Sequence, residues 1–207
     1  MYIYGLYIPF MAKRRRMKVR ITDNRYAGEI SRFNLAVRMI SHEARTGTIR
    51  ACTGFSEDRI RKIYATYFKQ AGTPTVRRRR GKSPTQIAPF LSSALHQSEA
   101  TILACLFLYC GLMHLDNHQG DMTGQRLDPV GLGERMCDAF ETYRSVHPEP
   151  GLCFEKAWGL YNALVREKEL FFARCNDCGG PYIQDRYALD YSHCPFCDIK
   201  QAVQQLS

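Results

Sequence analysis

The sequence lacks an apolar run long enough to cross a membrane. The uncharged apolar stretch at residues 100–113 is shorter than the roughly 20 residues that a transmembrane helix needs. A secretory signal is also missing, because the apolar residues 1–12 precede the basic cluster at 13–16, whereas a signal peptide has its charges first. The nine cysteines fit a reducing compartment. We therefore expect a cytoplasmic protein without a membrane anchor.

Acidic residues are scarce in the first part of the chain. Residues 1–90 carry 20 Lys/Arg and 5 Asp/Glu, a net charge of +15. Residues 91–174 carry 7 Lys/Arg and 11 Asp/Glu, and residues 175–207 carry 2 and 4. A basic segment on a mildly acidic body indicates a polyanionic partner, most often nucleic acid. The alternative is a basic face that is only solvated.

The sequence also lacks the motifs of catalytic sites. It contains no Walker loop and no nucleophile elbow, and His42-Glu43 lacks the second histidine of a His-Glu-x-x-His zinc motif. The Pro-Cys-x-x-Cys signature of deaminases is not matched either, because Pro195 follows Cys194 instead of preceding it. His114 and His118 are close in sequence, but the Asn and Gly residues around them favour a loop. We expect neither enzymatic activity nor a small-molecule substrate.

Four cysteines form the pattern Cys175-x2-Cys178 and Cys194-x2-Cys197. This spacing is typical of zinc ribbons. Two cysteines at i and i+3 on a tight turn direct both thiolates at one ion, and a second such turn completes a tetrahedral cage. The pattern therefore predicts one structural Zn²⁺, because four sulfur ligands leave no open position for water.

The residues between the cysteine pairs favour a short hairpin. Gly179-Gly180 allows the backbone to bend around the metal, and residues 182–183 and 187–189 are expected to form the two strands. Reduced thiol pairs or a disulfide framework are the alternatives to a metal site. His193 is an alternative ligand in place of one thiolate.

Helical segments on both sides of a glycine-containing turn are predicted near residue 54. The first helix covers residues 29–44 and is broken at 45–47, and a short segment at 48–52 leads into the turn. Ser56 is the expected N-cap of the second helix, which covers residues 59–69. The apolar face of the first helix consists of Ile30, Phe33, Val37, Ile40 and Ala44. The apolar face of the second consists of Ile60, Ile63, Tyr64, Tyr67 and Phe68.

With the strong positive charge beside it, this pattern predicts a DNA-binding helix-turn-helix. The residues expected to face the groove are Arg59, Lys62, Thr66 and Lys69. Arg61 is expected on a phosphate. A helical hairpin with a solvated basic face is the alternative.

A basic linker follows the second helix. Between Pro74 and Pro84 it contains Arg77-Arg78-Arg79-Arg80-Gly81-Lys82. Because the prolines exclude a continuous helix and adjacent arginines repel one another, we expect an extended arm that contacts the DNA backbone or a narrow minor groove. A flexible basic linker is the alternative.

The remainder predicts a helical body before the ribbon. Helices are expected at residues 100–113, 133–146 and 154–172, and the inner stripe of the last consists of Trp158, Tyr161, Leu164 and Val165. The fold class is therefore mainly α, with a helix-turn-helix-like part, a helical body and a small four-cysteine zinc ribbon at the end. The expected divisions are an N-terminal extension at 1–28, the DNA-binding region at 29–72, the arm at 73–88, the body at 89–174 and the ribbon at 175–207.

The order of these motifs resembles that of the FlhC family, the zinc-containing subunit of the bacterial flagellar master transcription activator. Residues 55–64 read Phe-Ser-Glu-Asp-Arg-Ile-Arg-Lys-Ile-Tyr, and Cys178 is followed by Gly-Gly-x-Tyr-Ile. The resemblance extends from about residue 29 to residue 197. The Arg77–Arg80 run and an insertion at 117–126 depart from the family pattern.

The resemblance implies a cytoplasmic, nucleoid-associated protein that assembles with a helical FlhD-like subunit. The complex is expected to bind double-stranded DNA upstream of flagellar promoters and to contact RNA polymerase, with zinc on the four cysteines. Divergent relatives activate transfer genes of conjugative elements, which is the alternative for this chain. A ribbon adaptor that binds protein rather than DNA is a further alternative.

Overall fold

The computed structural model describes residues 21–69, 76–79, 81, 86–116, 120–147, 149–189 and 192–205. Most of the N-terminal extension, Arg80 and Lys82 of the predicted arm, and His118 lie outside the described residues. No helix in the described ranges is long and apolar enough to cross a membrane.

The described residues contain eight helices and two small antiparallel sheets. The helices are α1 (Ile21–Ser41), α2 (Thr46–Thr53), α3 (Glu57–Tyr67), α4 (Ala88–Leu91), α5 (Ala94–Tyr109), α6 (Pro129–Val146), α7 (Phe154–Val165) and α8 (Pro195–Gln205). The strands are β1 (Met113–Leu115), β2 (Met122–Gly124), β3 (Leu170–Arg174) and β4 (Pro181–Asp185). β1 pairs with β2, and β3 pairs with β4. The mainly α fold class is as the sequence predicts.

Helices α1, α2 and α3 pack against one another. The turn between α2 and α3 contains Gly54, whose φ of 70° is a left-handed conformation that glycine adopts without steric cost. Ser56 then caps α3 by accepting a hydrogen bond from the backbone N–H of Arg59. The predicted glycine turn and serine cap are confirmed.

The inward faces of these helices are shorter than predicted. Ile60 and Ile63 of α3 are buried, but Tyr67 is 54% exposed. On α1 the buried face begins at Leu35, and Ile30 is 56% exposed. Ile30 lies on the first half of α1, which extends beyond the part of the helix that packs on the body.

A left-handed residue ends α1 earlier than the predicted residue 44. Glu43 has a φ of 59°. Its backbone N–H bonds to the Ile40 carbonyl and that of Ala44 bonds to the Met39 carbonyl, at 2.9 and 3.0 Å. These two bonds satisfy the last carbonyls of the helix in the manner of a Schellman motif, which glycine usually supplies.

A left-handed residue also ends α5 early, at Tyr109 rather than at residue 113. Gly111 has a φ of 67°, and its backbone N–H bonds to the Leu108 carbonyl. Helix α7 ends at Val165 rather than at residue 172, because residues 170–172 pair with β4 instead. Helix α6 begins four residues before the predicted start, where Asp128 caps it through the Gly131 N–H.

The prediction of a second hairpin strand at residues 187–189 is wrong. Residues 187–189 form a turn, in which the N–H groups of Tyr187 and Ala188 bond to Asp185. The partner of β4 is β3, which precedes the first cysteine pair and buries Leu170 and Phe172. Leu189 is fully exposed, so strand pairing there would bury no apolar area.

The main hydrophobic core extends from Leu35 in α1 to Ile183 in β4. Helix α5 crosses its centre, with Leu103 and Phe107 wholly buried, and packs against α6, α7, α8 and β4. The predicted apolar stripe of α7 lines the same core. The helix-turn-helix-like region and the helical body therefore share one set of buried contacts.

A buried carboxylate joins the body to α2. Glu155 of α7 is 1% exposed and accepts hydrogen bonds from the Arg45 N–H at 2.6 Å and from Thr48 Oγ1 at 3.1 Å. Arg45 is the N-cap of α2, and its side chain makes no capping bond. Glu155 thus accepts hydrogen bonds at the start of a helix about 110 residues earlier in the chain. The helix dipole also favours negative charge at that end.

An ion-pair cluster joins α1 to α6. Arg38 donates to Glu141 through Nε and a terminal nitrogen, and His42 Nε2 lies 2.6 Å from the same carboxylate. The hydrogen bond from Arg38 lowers the pKa of Glu141 to about 2. A carboxylate with this pKa is ionised at neutral pH and can only accept hydrogen bonds, so His42 Nε2 must be the donor.

We expect Glu141→Gln to lower the free energy of unfolding at neutral pH by about 1 kcal/mol, because Glu141 is partly exposed and solvent screens the pair. The folded-state pKa of Glu141 lies below its ordinary value, so its stabilisation is complete above pH 4.5 and declines as the pH falls toward 2. Urea unfolding of both proteins should therefore show a difference that narrows in this acidic range. The exposed Glu167→Gln is the matched control, and a difference independent of pH would contradict the assignment.

Candidate metal centre and basic surface

The sulfur atoms of Cys175, Cys178, Cys194 and Cys197 all lie within 4.8 Å of one another. The Sγ atoms of Cys175 and Cys197 are 3.9 Å apart, and those of Cys178 and Cys194 are 3.6 Å apart. Metal–sulfur bonds of about 2.3 Å in a tetrahedron separate the sulfurs by about 3.8 Å. The four thiols fit a tetrahedral metal ion.

The first cysteine pair lies on the tight turn between β3 and β4. Gly179 has a φ of 68°, and its N–H bonds to the Cys175 carbonyl at 3.0 Å. The Gly180 N–H approaches Cys178 Sγ at 3.4 Å. Glycine is needed at residue 179 because a Cβ would strain that left-handed backbone.

The second pair lies at the start of α8. Cys194 immediately precedes the helix, and its sulfur accepts the Cys197 N–H at 3.4 Å. The Cys194 N–H in turn donates to Cys175 Sγ at 3.3 Å. Backbone N–H groups, above all that of Cys178, lower the pKa of the Cys175 thiol to about 6. The backbone donors thus favour the thiolate form of Cys175, whereas burial raises the pKa of Cys194 and the hydrogen bond with Cys194 raises the pKa of Cys197.

His193 joins the two cysteine turns without being one of the grouped ligands. Its Nδ1 lies 2.8 Å from an Asp177 carboxylate oxygen, and this contact raises the pKa of His193. The Asn176 N–H bonds to the Ser192 carbonyl at 2.9 Å alongside it. These contacts hold the turns together from outside the sulfur cage.

Helix α3 presents a solvent face with uneven charge. Lys62, Thr66 and Lys69 are exposed, and neither lysine has an ion pair with another described residue. Arg59 lies over the Phe55 ring and pairs with Glu29 of α1. In the described ranges, Lys62 at the middle of α3 is thus the cation of this helix without an ion-pair partner, and Lys69 lies just beyond the helix end.

Arg61 is paired on its own helix. Its guanidinium contacts Asp58 at 2.8 Å and Glu57 at 3.2 Å. Both acids belong to the first turn of α3, where negative charge also offsets the helix dipole. Exposed pairs of this kind contribute about 0–1 kcal/mol, so a phosphate can displace them at small cost.

Residues 76–79, called here the basic strap, lie against the helix-turn-helix-like region. Tyr64 of α3 donates to the Val76 carbonyl at 2.7 Å. Glu43 accepts from the Arg77 N–H at 3.2 Å and from Arg79 Nε at 3.0 Å. The described part of the predicted arm is thus held at both the α1 end and the α3 surface.

Sequence reasoning missed the two residues that position the strap. Glu43 stood out only as part of an incomplete zinc motif, and Tyr64 only as a core residue. No local sequence pattern predicts their contacts with the strap, since Glu43 and Arg79 are 36 residues apart. Charge complementarity between the strap and the α1 end was the one signal available.

Replacing Cys175 with serine should abolish metal binding and loosen the β3–β4 turn and the start of α8, because ligand binding and folding are coupled at such sites. Elemental analysis should find one metal ion per wild-type chain and none in the variant. Cys153→Ser is the matched control, since Cys153 precedes α7 at an N-cap position that serine suits. A wild-type protein that keeps its stability after complete chelation would contradict a structural metal.

No family model matches this chain. No curated protein matches it either. The resemblance to the FlhC family therefore rests on the motifs of the chain itself, and the function has to be argued from the described residues.

Proposed function

We propose that this protein is a DNA-binding subunit of a transcription-activating complex. The observation that carries the proposal is the α2–Gly54–α3 unit with the basic strap fixed beside it. A short helix, a tight glycine turn and a capped second helix are the parts of a helix-turn-helix, whose second helix enters the major groove. The solvent face of α3 supplies polar and basic side chains for that role.

The residues divide into base-reading and phosphate-binding groups. Lys62 and Thr66 lie on the exposed face of α3 and are proposed to reach base edges, while Lys69 follows the last turn. Arg59 and Arg61 are held in ion pairs, so we propose that they exchange these partners for phosphates. Sequence reading would then depend on the middle and the last turn of α3.

The strap adds contacts that do not depend on sequence. Arg77 and Arg79 are exposed, and Arg78 is half-buried beside them. Glu43 and Tyr64 restrain the backbone of this segment, so less conformational entropy is lost when it meets DNA. We propose that these arginines, with Arg80 and Lys82, contact the phosphate backbone or the minor groove.

The metal is proposed to be a single Zn²⁺ with a structural role. Four thiolates at tetrahedral spacing suit zinc, and a closed set of four leaves no position for a reacting water. A zinc ion would add to the small buried cluster around the cysteines, which holds only a few of the described residues. The same elemental analysis identifies the metal.

Two exposed apolar surfaces fit the proposed protein partners. Tyr26 and Ile30 of α1, 71% and 56% exposed, lie one helical turn apart and suit a helical FlhD-like subunit. The C-terminal unit exposes Tyr187, Leu189, Phe196 and Val203. We propose that the latter surface contacts RNA polymerase. The same side chains support a second candidate function, a protein-binding adaptor.

We expect alanine at Arg77 to Arg80 to weaken binding to all duplex DNA and to flatten its salt dependence. Each lost phosphate contact should reduce the slope of log K against log salt by about 0.9. Fluorescence anisotropy with specific and random duplexes measures both quantities. Alanine at the exposed Arg126 and Arg174 of the body is the control. Wild-type protein that binds no duplex at low salt, with its partner present, would favour the adaptor.

The target genes are proposed to be flagellar, with transfer genes of a mobile element as the alternative. Sequencing of DNA crosslinked to the tagged protein in its host separates the two. Flagellar promoters should be enriched if the first is right, and transfer genes if the second is. Lys62→Ala with Thr66→Ala should remove the enrichment, and its persistence would contradict base reading by α3.

A further inference from the structure

A cavity of about 480 Å³ lies beside the basic strap, and the metal and helix-turn-helix proposals do not use it. Three segments form its walls: the end of α1 (Ser41, His42 and Glu43), the strap (Val76 and Arg79), and α6 with the α6–α7 loop and the first residue of α7. Its volume falls within the range of small-molecule sites, roughly 300–1,000 Å³.

The charged groups of the cavity favour an anion. Arg144 of α6 is exposed there and has no hydrogen bond or ion pair with another described residue. The nearby Glu43 carboxylate is already occupied by Arg79 and by the Arg77 N–H. The cavity also borders the N-terminus of α7, where the N-cap Cys153 makes no side-chain capping bond. Unmatched arginine charge and a helix start both attract phosphate groups.

His42 lies in the wall of the cavity between α1 and α6. Its side chain is 10% exposed and lines the cavity. Its Nε2 is committed to Glu141, and its buried Nδ1 has no hydrogen-bond partner among the described residues. Burial lowers the pKa of His42, so this Nδ1 is an acceptor. An ionised phosphate has no hydrogen to donate to this nitrogen, so His42 contributes ring surface to the cavity and leaves the anion to the arginines.

The cavity is also preorganised and partly apolar. Phe140, Leu152 and Phe154 line its floor and are almost wholly buried. Glu99 fixes the loop wall by accepting the Gly151 N–H at 2.5 Å, and Tyr143 Oη accepts the Leu152 N–H at 3.1 Å. A single phosphate ion would leave most of this space empty, whereas an organic group can cover the apolar floor.

We propose that this cavity binds a small organic phosphate monoester, with the phosphate on Arg144 and Arg79 and the organic group over the apolar floor. The ligand joins the strap to α6 and so fixes the strap more firmly. Any effect of this ligand on DNA binding rests on the proposed function, but binding of the ligand to the cavity does not.

The test is calorimetric titration of the full chain with phenyl phosphate and with inorganic phosphate, at constant ionic strength and without DNA. We expect phenyl phosphate to bind about tenfold more tightly than inorganic phosphate, because its ring buries apolar area. Arg144→Ala should weaken phenyl phosphate binding about tenfold or more, and Arg144→Lys should restore part of it. The exposed Arg126→Ala should bind as the wild type does.

Equal binding by wild type and Arg144→Ala would overturn the proposal, as would an equal loss in Arg126→Ala. A lack of preference for phenyl phosphate over inorganic phosphate would overturn the organic part. A different outcome is that short duplex DNA displaces phenyl phosphate from the wild type and fails to do so in Arg144→Ala. That result would assign the site to a DNA phosphate. The proposed function fails separately, by the absence of duplex binding in the anisotropy measurement.

Discussion

The orientation of the helix-turn-helix-like region depends on one buried carboxylate. Glu155 is buried and accepts hydrogen bonds at the start of α2. The N-cap residue of α2 makes no side-chain capping bond of its own. Burial of a charge without such donors is costly, so the contact fixes the distance between α7 and α2 within narrow limits. Helix α3 follows α2 after a three-residue turn, and its exposed face is therefore positioned by the body of the protein. The shared hydrophobic core strengthens this coupling.

The two ends of the described structure are stabilised in different ways. The helix-turn-helix-like region shares the main core, whereas the β3–β4 turn and α8 enclose a small cluster that contains two of the cysteines. Apolar burial and matched charges hold the first, and the second brings together four cysteines that fit a metal ion. Chelation and high salt should consequently act on different parts of the molecule. The net charge follows the same division, since the basic residues lie in the first 90 residues and the C-terminal unit is slightly acidic.

Local sequence signals predicted much of this architecture. Ser56, Gly54 and the cysteine spacing have physical roles within a few residues of their own position, and all three appear in the structure as expected. The predicted helix ends were wrong where contacts with distant residues override the local sequence pattern. Residues 170–172 continue the periodicity of α7 but pair with β4, and Glu43 ends α1 although it is not a glycine. The strap contacts, the buried Glu155 and the cavity all join segments far apart in sequence, so no local pattern reveals them.

The left-handed conformation of Glu43 has a consequence for the order of folding. A residue other than glycine in this conformation costs of order 1 kcal/mol, and glycine would end α1 more easily. The glutamate side chain compensates for this cost only when residues 77–79 are in place to donate to it. The last turn of α1, which Arg38 and His42 join to α6, should therefore reach its full stability only when residues 77–79 pack onto it. A helix end and a linker that look like separate elements would then become ordered in a single cooperative step.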